Sequence, residues 1–272
     1  MPNFTTSDGL SLYYTDEGTG LPILCLAGLT RTGQDFDYIA PHLTEHRVIR
    51  LDYRGRGQSD WDPNWKNYTL PVESRDALEL LDHLNLDAAA IIGTSRGGLI
   101  AMGLATFATQ RLLGVALNDI GPELASEGLE SVMSFLSRRP SATTHEDAAE
   151  ALEKIQTGFA NVPKSRWMEE AQKLYTKDAE GLNFTYDPRL RDALEMPSKM
   201  PDLWPFFDAL TGKPLCCIRG ENSDLLTAQT LEKMQERRPD MIAATVPDRA
   251  HIPFLDESQS VDAIKAWLEK MI

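Results

Sequence analysis

Short apolar runs alternate with helical periodicities along most of this chain, and that alternation limits the folds open to it more than any other feature. Strand-like runs fall at 10–14, 23–27, 47–51, 88–92, 113–118, 215–219 and 242–246, and helical patterns at 36–43, 72–84, 97–108, 226–237 and 258–271 separate most of them. Strands that alternate with amphipathic helices predict a largely parallel sheet covered on both faces. Ligands of such sheets gather at the carboxyl ends of the strands, where the connecting loops converge. With 272 residues the chain can hide roughly 70 to 75% of its unfolded surface, so one main domain can hold its own core.

One interval breaks the rhythm. Between Asn118 and Leu215 lies far more chain than an ordinary connection needs, which predicts an inserted module. Its content reads as helical. Leu129, Val132, Met133 and Leu136 share one helical face, and Ala148, Leu152, Ile155 and Phe159 share another. Thr143 with Glu146 offers a capping box ahead of the second set, and Pro140 and Pro163 read as breaks between helices. The division expected is 1–120 with 206–272 as the core and 121–205 as a helical insertion.

The net charge of −14 argues against nucleic acid or anionic membrane as a partner, because both repel an acidic surface. No apolar run approaches the ~20 residues of a membrane span, and the first residues lack both the basic start and the apolar stretch of a signal peptide. A cytoplasmic location is the resulting expectation. Cys25, Cys216 and Cys217 lie in apolar strand-like runs without metal-ligand spacing, so they read as reduced core residues.

The chemistry points to Ser95. It sits in Gly93-Thr94-Ser95-Arg96-Gly97, between a buried-strand run and a helix that is apolar on most sides. Glycines at 93 and 97 free a tight strand-to-helix turn of side chains, so that the serine hydroxyl can project outward. A serine hydroxyl needs a general base, and the base needs an orienting carboxylate. His42, His46, His83 and His145 fall in helix patterns, before a strand or in a charged capping segment. His251 falls in Asp248-Arg249-Ala250-His251-Ile252-Pro253-Phe254-Leu255, a loop that follows a strand and emerges at the same sheet edge as Ser95. For the acid, Asp224 closes the 215–219 strand in Arg219-Gly220-Glu221-Asn222-Ser223-Asp224, with Asp119 as second choice and Glu221 as a further alternative. The order serine, acid, histidine is the one found in α/β-hydrolases.

Over nearly its full length the chain resembles the α/β-hydrolase fold family. Beyond the Ser95 turn and the His251 segment, Leu26-Ala27-Gly28-Leu29-Thr30-Arg31 is similar to the family's oxyanion loop. Asp52-Tyr53-Arg54-Gly55-Arg56-Gly57-Gln58-Ser59-Asp60 is similar to its turn after the following strand. Two positions depart from the pattern: Ala27 stands where histidine is frequent, and Ala250 where glycine is frequent. The resemblance implies a mostly parallel sheet with helices on both faces and an inserted helical cap. It further implies a serine hydrolase in which Leu29 and Arg96 amides hold the oxyanion, with no metal or organic cofactor.

The cap would shape the pocket, with Trp167, Tyr175, Trp204, Phe206 and Phe207 as aromatic candidates, while Arg31 and Arg96 are candidates to meet a substrate carboxylate or carbonyl. The charged 52–60 turn reads as structural. The expected substrate is a small-molecule ester or lactone. Carbon-carbon bond hydrolysis, perhydrolysis by the same triad, and a non-catalytic small-molecule receptor are the other readings. An exposed sheet edge or cap surface is a candidate homodimer contact.

Overall fold

The computed structural model describes residues 2–196 and 201–271. Its centre is an eight-stranded sheet in the order β1-β2-β4-β3-β5-β6-β9-β10. These strands are β1 (Asn3–Thr5), β2 (Ser11–Glu17), β3 (Pro22–Leu26), β4 (Arg47–Leu51), β5 (Ala89–Thr94), β6 (Leu112–Asn118), β9 (Leu215–Gly220) and β10 (Ile242–Val246). β2 runs antiparallel to both β1 and β4, and every other pairing is parallel. Mean position in the sheet follows side-chain chemistry. β5 reads Ala-Ala-Ile-Ile-Gly-Thr and is buried at every residue, as a central strand covered on both faces must be.

Helices α1 (Leu70–His83), α2 (Arg96–Phe107), α7 (Trp204–Asp208), α8 (Ala228–Arg237) and α9 (Ser258–Leu268) cover the sheet. α2 follows β5 directly and is buried on most sides, as its apolar sequence requires. The helix expected at 36–43 is instead two 3-10 turns, Gly33–Asp37 and Ala40–His42. Pro41 explains the difference, since it cannot donate an amide to a continuing α-helix. β1 escaped the sequence pattern because three residues are too short to show a period. No described helix is long and apolar enough to cross a membrane.

The inserted module is mixed rather than helical throughout. It carries α3 (Ser126–Phe135), α4 (His145–Ile155), α5 (Lys164–Leu174) and α6 (Leu190–Glu195), with an antiparallel hairpin of β7 (Tyr175–Asp178) and β8 (Gly181–Phe184) between α5 and α6. The cap of α4 is Thr144, not Thr143: its side chain accepts from the Asp147 amide at 3.1 Å. Pro163 caps α5, and Pro140 lies between α3 and α4. A small separate core of Ala148, Leu152, Trp167, Ala171 and Leu182 holds α4, α5 and the hairpin together. α7 behaves differently, packing on α2 with Phe207 wholly buried in the main core.

Candidate active site

Ser95 follows the last residue of β5 and precedes the first of α2, in a left-handed conformation with φ 49° and ψ −111°. A non-glycine residue there is strained, so its surroundings must hold it. Its amide donates to the Asn118 carbonyl at 3.0 Å, and its carbonyl accepts from Gly98 N at 2.9 Å. A Cβ on Gly97 would stand 2.0 Å from the Leu26 carbonyl oxygen, and one on Gly93 2.6 Å from the Gly97 oxygen. A side chain at 97 would push the turn off β3 and one at 93 would collide with the turn's own backbone.

His251 leaves the loop after β10 and meets Ser95. Its Nε2 lies 3.0 Å from Ser95 Oγ and its Nδ1 2.7 Å from Asp119 Oδ2. Asp119 is fully buried at the carboxyl end of β6. Its Oδ1 accepts from the Gly220 amide at 2.8 Å, and its Oδ2 also accepts from Ser223 Oγ at 2.6 Å. A carboxylate that accepts from both these donors makes Nδ1 of His251 the third donor, which leaves Nε2 free to accept the Ser95 hydroxyl proton. The tautomer follows from the network.

Asp224, the expected partner of the histidine, does not reach it: the carboxylate at His251 Nδ1 is Asp119, the second choice. Asp224 is exposed, as is Glu221. The residue of that turn which faces inward is Ser223, whose hydroxyl both donates to Asp119 and accepts from the Leu226 amide at 3.1 Å. The reason lies in strand order. β6 is the immediate neighbour of β5, whereas β9 stands one strand further away. Asp119 reaches the imidazole directly, and the β9 turn braces it.

The loop carrying His251 is fixed from two sides. Glu257 accepts from the Phe254 and Leu255 amides at 3.0 and 2.9 Å and pairs with Arg249 at 2.7 Å. Asn118 donates its side-chain amide to the Pro253 carbonyl at 3.2 Å. Asn118 thus touches the serine turn through its backbone and the histidine loop through its side chain, and it directly precedes Asp119. Nothing in its polar-after-apolar sequence context signals that role.

Leu29 and Arg96, the expected oxyanion donors, are held by one buried carboxylate. Arg56 Nε donates to the Leu29 carbonyl at 2.9 Å, and its Nη1 lies 2.8 Å from Glu73. The other oxygen of Glu73 accepts from Arg96 Nε at 2.6 Å. Burial alone would raise the Glu73 carboxyl, but the Arg56 and Arg96 guanidinium groups outweigh it and hold the carboxyl below its ordinary value. Among the described residues neither the Leu29 nor the Arg96 amide has a hydrogen-bond acceptor. The Arg96 amide also sits at the positive end of α2. The Arg96 side chain is thereby removed from substrate contact. Arg54, in the same 52–60 turn, is buried against Asp62 and Asp76, consistent with a structural turn.

A cavity of about 270 Å³ opens above Ser95 and His251. Its walls include Val132, Leu136, Leu152, Phe159, Trp167 and Phe254, so most of the roof comes from the module. Arg31 lines it but is already matched, at 2.8 Å from Asp35 and 2.5 Å from Glu170 on α5. Tyr175 also lines it. Trp204 and Phe207 do not. They belong to α7, where Trp204 donates to Glu123 at 3.0 Å and Phe207 is core, so both are corrected from pocket to packing residues. Phe206 packs against the same core. The three cysteines are buried free thiols, and burial pushes Cys25 and Cys216 up to about 12.

Known proteins are similar to this chain to different depths. A sequence profile described as alpha/beta hydrolase fold matches residues 22–154. The 3-hydroxybutyrate-oligomer hydrolase of Cupriavidus necator is 34% identical over 87% of this chain and 85% of its own length. The 2-(acetamidomethylene)succinate hydrolase of Mesorhizobium japonicum is 25% identical over 94% of this chain and 90% of its own. Among solved structures, an alpha/beta hydrolase from Novosphingobium aromaticivorans superposes with a TM-score of 0.93 at 35% identity, covering 99% of this chain and 97% of that one.

Proposed function

Because the chain belongs to the α/β-hydrolase fold family, we propose that it is a serine hydrolase of small aliphatic esters or lactones, with short oligoesters of hydroxy acids as the best substrate class. The observation that carries this reading is the Ser95–His251–Asp119 chain of hydrogen bonds beneath a mainly apolar cavity. The similarity to a hydrolase of 3-hydroxybutyrate oligomers supports the substrate class.

In the reaction, His251 Nε2 takes the Ser95 proton as Oγ attacks the ester carbonyl. The oxyanion is met by the Leu29 and Arg96 amides, preorganised by the Glu73 bridge, and one such donor is typically worth about 3 to 4 kcal/mol in the barrier. His251 then returns the proton to the leaving alcohol. Water, deprotonated by the same imidazole, releases the acyl group from Ser95. Asp119 stays ionised throughout, holding the tautomer and stabilising the imidazolium.

A fluorophosphonate probe tests the nucleophile together with turnover of short-chain esters. The native protein is expected to be labelled and to hydrolyse them, while Ser95→Ala loses labelling and at least about 10⁴-fold in kcat. Labelling or turnover that survives in Ser95→Ala would remove Ser95 from the reaction.

A further inference from the structure

The charges inside the cavity are accounted for, but one at its mouth is not. Arg31 is clamped between Asp35 and Glu170, and with Lys173 paired to Asp37 beside them this cluster sets three acids against two bases. It offers nothing to an anion. Arg138 lines the cavity from the chain just beyond α3 and is exposed. Among the described residues its guanidinium forms no hydrogen bond and no ion pair. Every other arginine of the chain has at least one side-chain hydrogen bond. Even the adjacent Arg139 is matched by Glu180 at 3.2 Å. Acidic side chains outnumber basic ones by 41 to 27, and even Arg219, which meets no carboxylate, is held by the Leu226 and Glu221 carbonyls, so an arginine with neither a carboxylate nor a carbonyl partner is the exception that needs a reason.

Its surroundings supply one. Phe135 and Ile155, two large apolar side chains that stay 53% and 47% exposed, line the same cavity as Arg138. An apolar strip beside an unmatched guanidinium fits an aliphatic chain that ends in a carboxylate. The overall field of a −14 chain works against anionic ligands, so a local cation must provide the selection. The planar fork of arginine takes a carboxylate through two parallel hydrogen bonds.

We propose that Arg138 is a specificity-determining residue that binds the free carboxylate of the substrate at the cavity mouth, which makes the preferred substrates acyl esters ending in a carboxylate, such as linear hydroxyacyl oligomers. This rests on the serine-hydrolase reading above. Arg138 takes no part in the chemistry: it acts before the bond is broken, through KM.

The test compares two probes, the linear dimer of 3-hydroxybutyrate as its free acid and the same dimer with the carboxyl converted to a primary amide. At low ionic strength the native protein is expected to show a KM about threefold to fivefold lower for the acid, the scale of one charge-assisted contact at an exposed site. Arg138→Gln erases that preference without changing kcat on either probe, Arg138→Lys keeps part of it, and added salt weakens it in the native protein. Equal KM values for the two probes in the native protein, or an acid preference that survives in Arg138→Gln, overturn the proposal while leaving the hydrolase reading intact. Failure to cleave either probe, together with no Ser95-dependent labelling, overturns both.

Discussion

The carboxyl edge of the sheet and the inserted module face the same cavity and are built on opposite rules. At the edge, polar groups dominate and are fixed by the core. Asp119 accepts from Gly220, Ser223 and His251, and Glu73 bridges Arg56 and Arg96 without contact with solvent. The module presents aliphatic and aromatic walls, packs on a small core of its own, and leaves exposed apolar groups and an unmatched arginine at the rim. Side chains held by buried hydrogen bonds keep a fixed geometry, which reaction needs. Apolar walls without such partners adapt to shape, which selection needs.

If the division holds, substitutions at the edge change kcat for every ester alike, and substitutions in the module change which ester is preferred. The largest effect is expected at the acid. Asp119→Asn should lower kcat by about 10⁴-fold, because the imidazole loses the acceptor that fixes its tautomer, while Asp224→Asn should stay within about twofold. Steady-state kinetics on one activated ester settles the pair, and comparable losses in both variants would return the acid to the β9 turn.

Glu73→Gln comes next. Breaking a buried ion pair by neutralising one partner costs on the order of 3 kcal/mol of stability, and kcat is expected to fall about tenfold with KM unchanged if the bridge sets the oxyanion donors. Because the folded value of Glu73 is lowered, the carboxylate stabilises the native state above its unfolded value and that contribution is lost as pH falls through the lowered one. Thermal unfolding should therefore be less sensitive to acid in Glu73→Gln than in the native protein as pH falls below the ordinary carboxylate range. A kcat that stays at the native value would confine Glu73 to a structural role.

On the module side, Val132→Phe fills the cavity roof. An acyl-chain series read as kcat/KM should show about tenfold loss for long chains and little change for acetyl, as expected when a few methylenes lose their space. A uniform loss across the series would mean that the module takes part in the chemistry as well as the choice.

How much of this the sequence disclosed follows the same line. Seven of the sheet's strands and the Ser95 turn were legible because alternation, glycine sterics and chain order are local signals, and Ser95 and His251 meet in the structure; Leu29 and Arg96 were named through the family resemblance. The acid was not legible in the same way. Asp119 and Asp224 both lie in turns that follow strands, and only the sheet order, a non-local property, brings one of them to the histidine. The hairpin β7–β8 was hidden by its short, mostly polar strands, and Trp204 and Phe207 were misplaced because an aromatic residue reads the same in a pocket and in a core. The Glu73 bridge and the Asn118 contacts depend on residues far apart in the chain, which no single-sequence pattern displays.

Placement of the module carries a last consequence. The chain leaves the sheet just after β6 and re-enters it at β9, and these strands are parallel neighbours, with α7 packed on α2 as the connecting helix. Length can thus be gained or lost between Gly121 and Leu203 without re-threading a strand or shifting a register. The sheet's topology therefore sets no length for the region; its backbone contacts with the core turn, Gly57 N to the Thr185 carbonyl and Asp187 N to the Gly55 carbonyl, are what seat it.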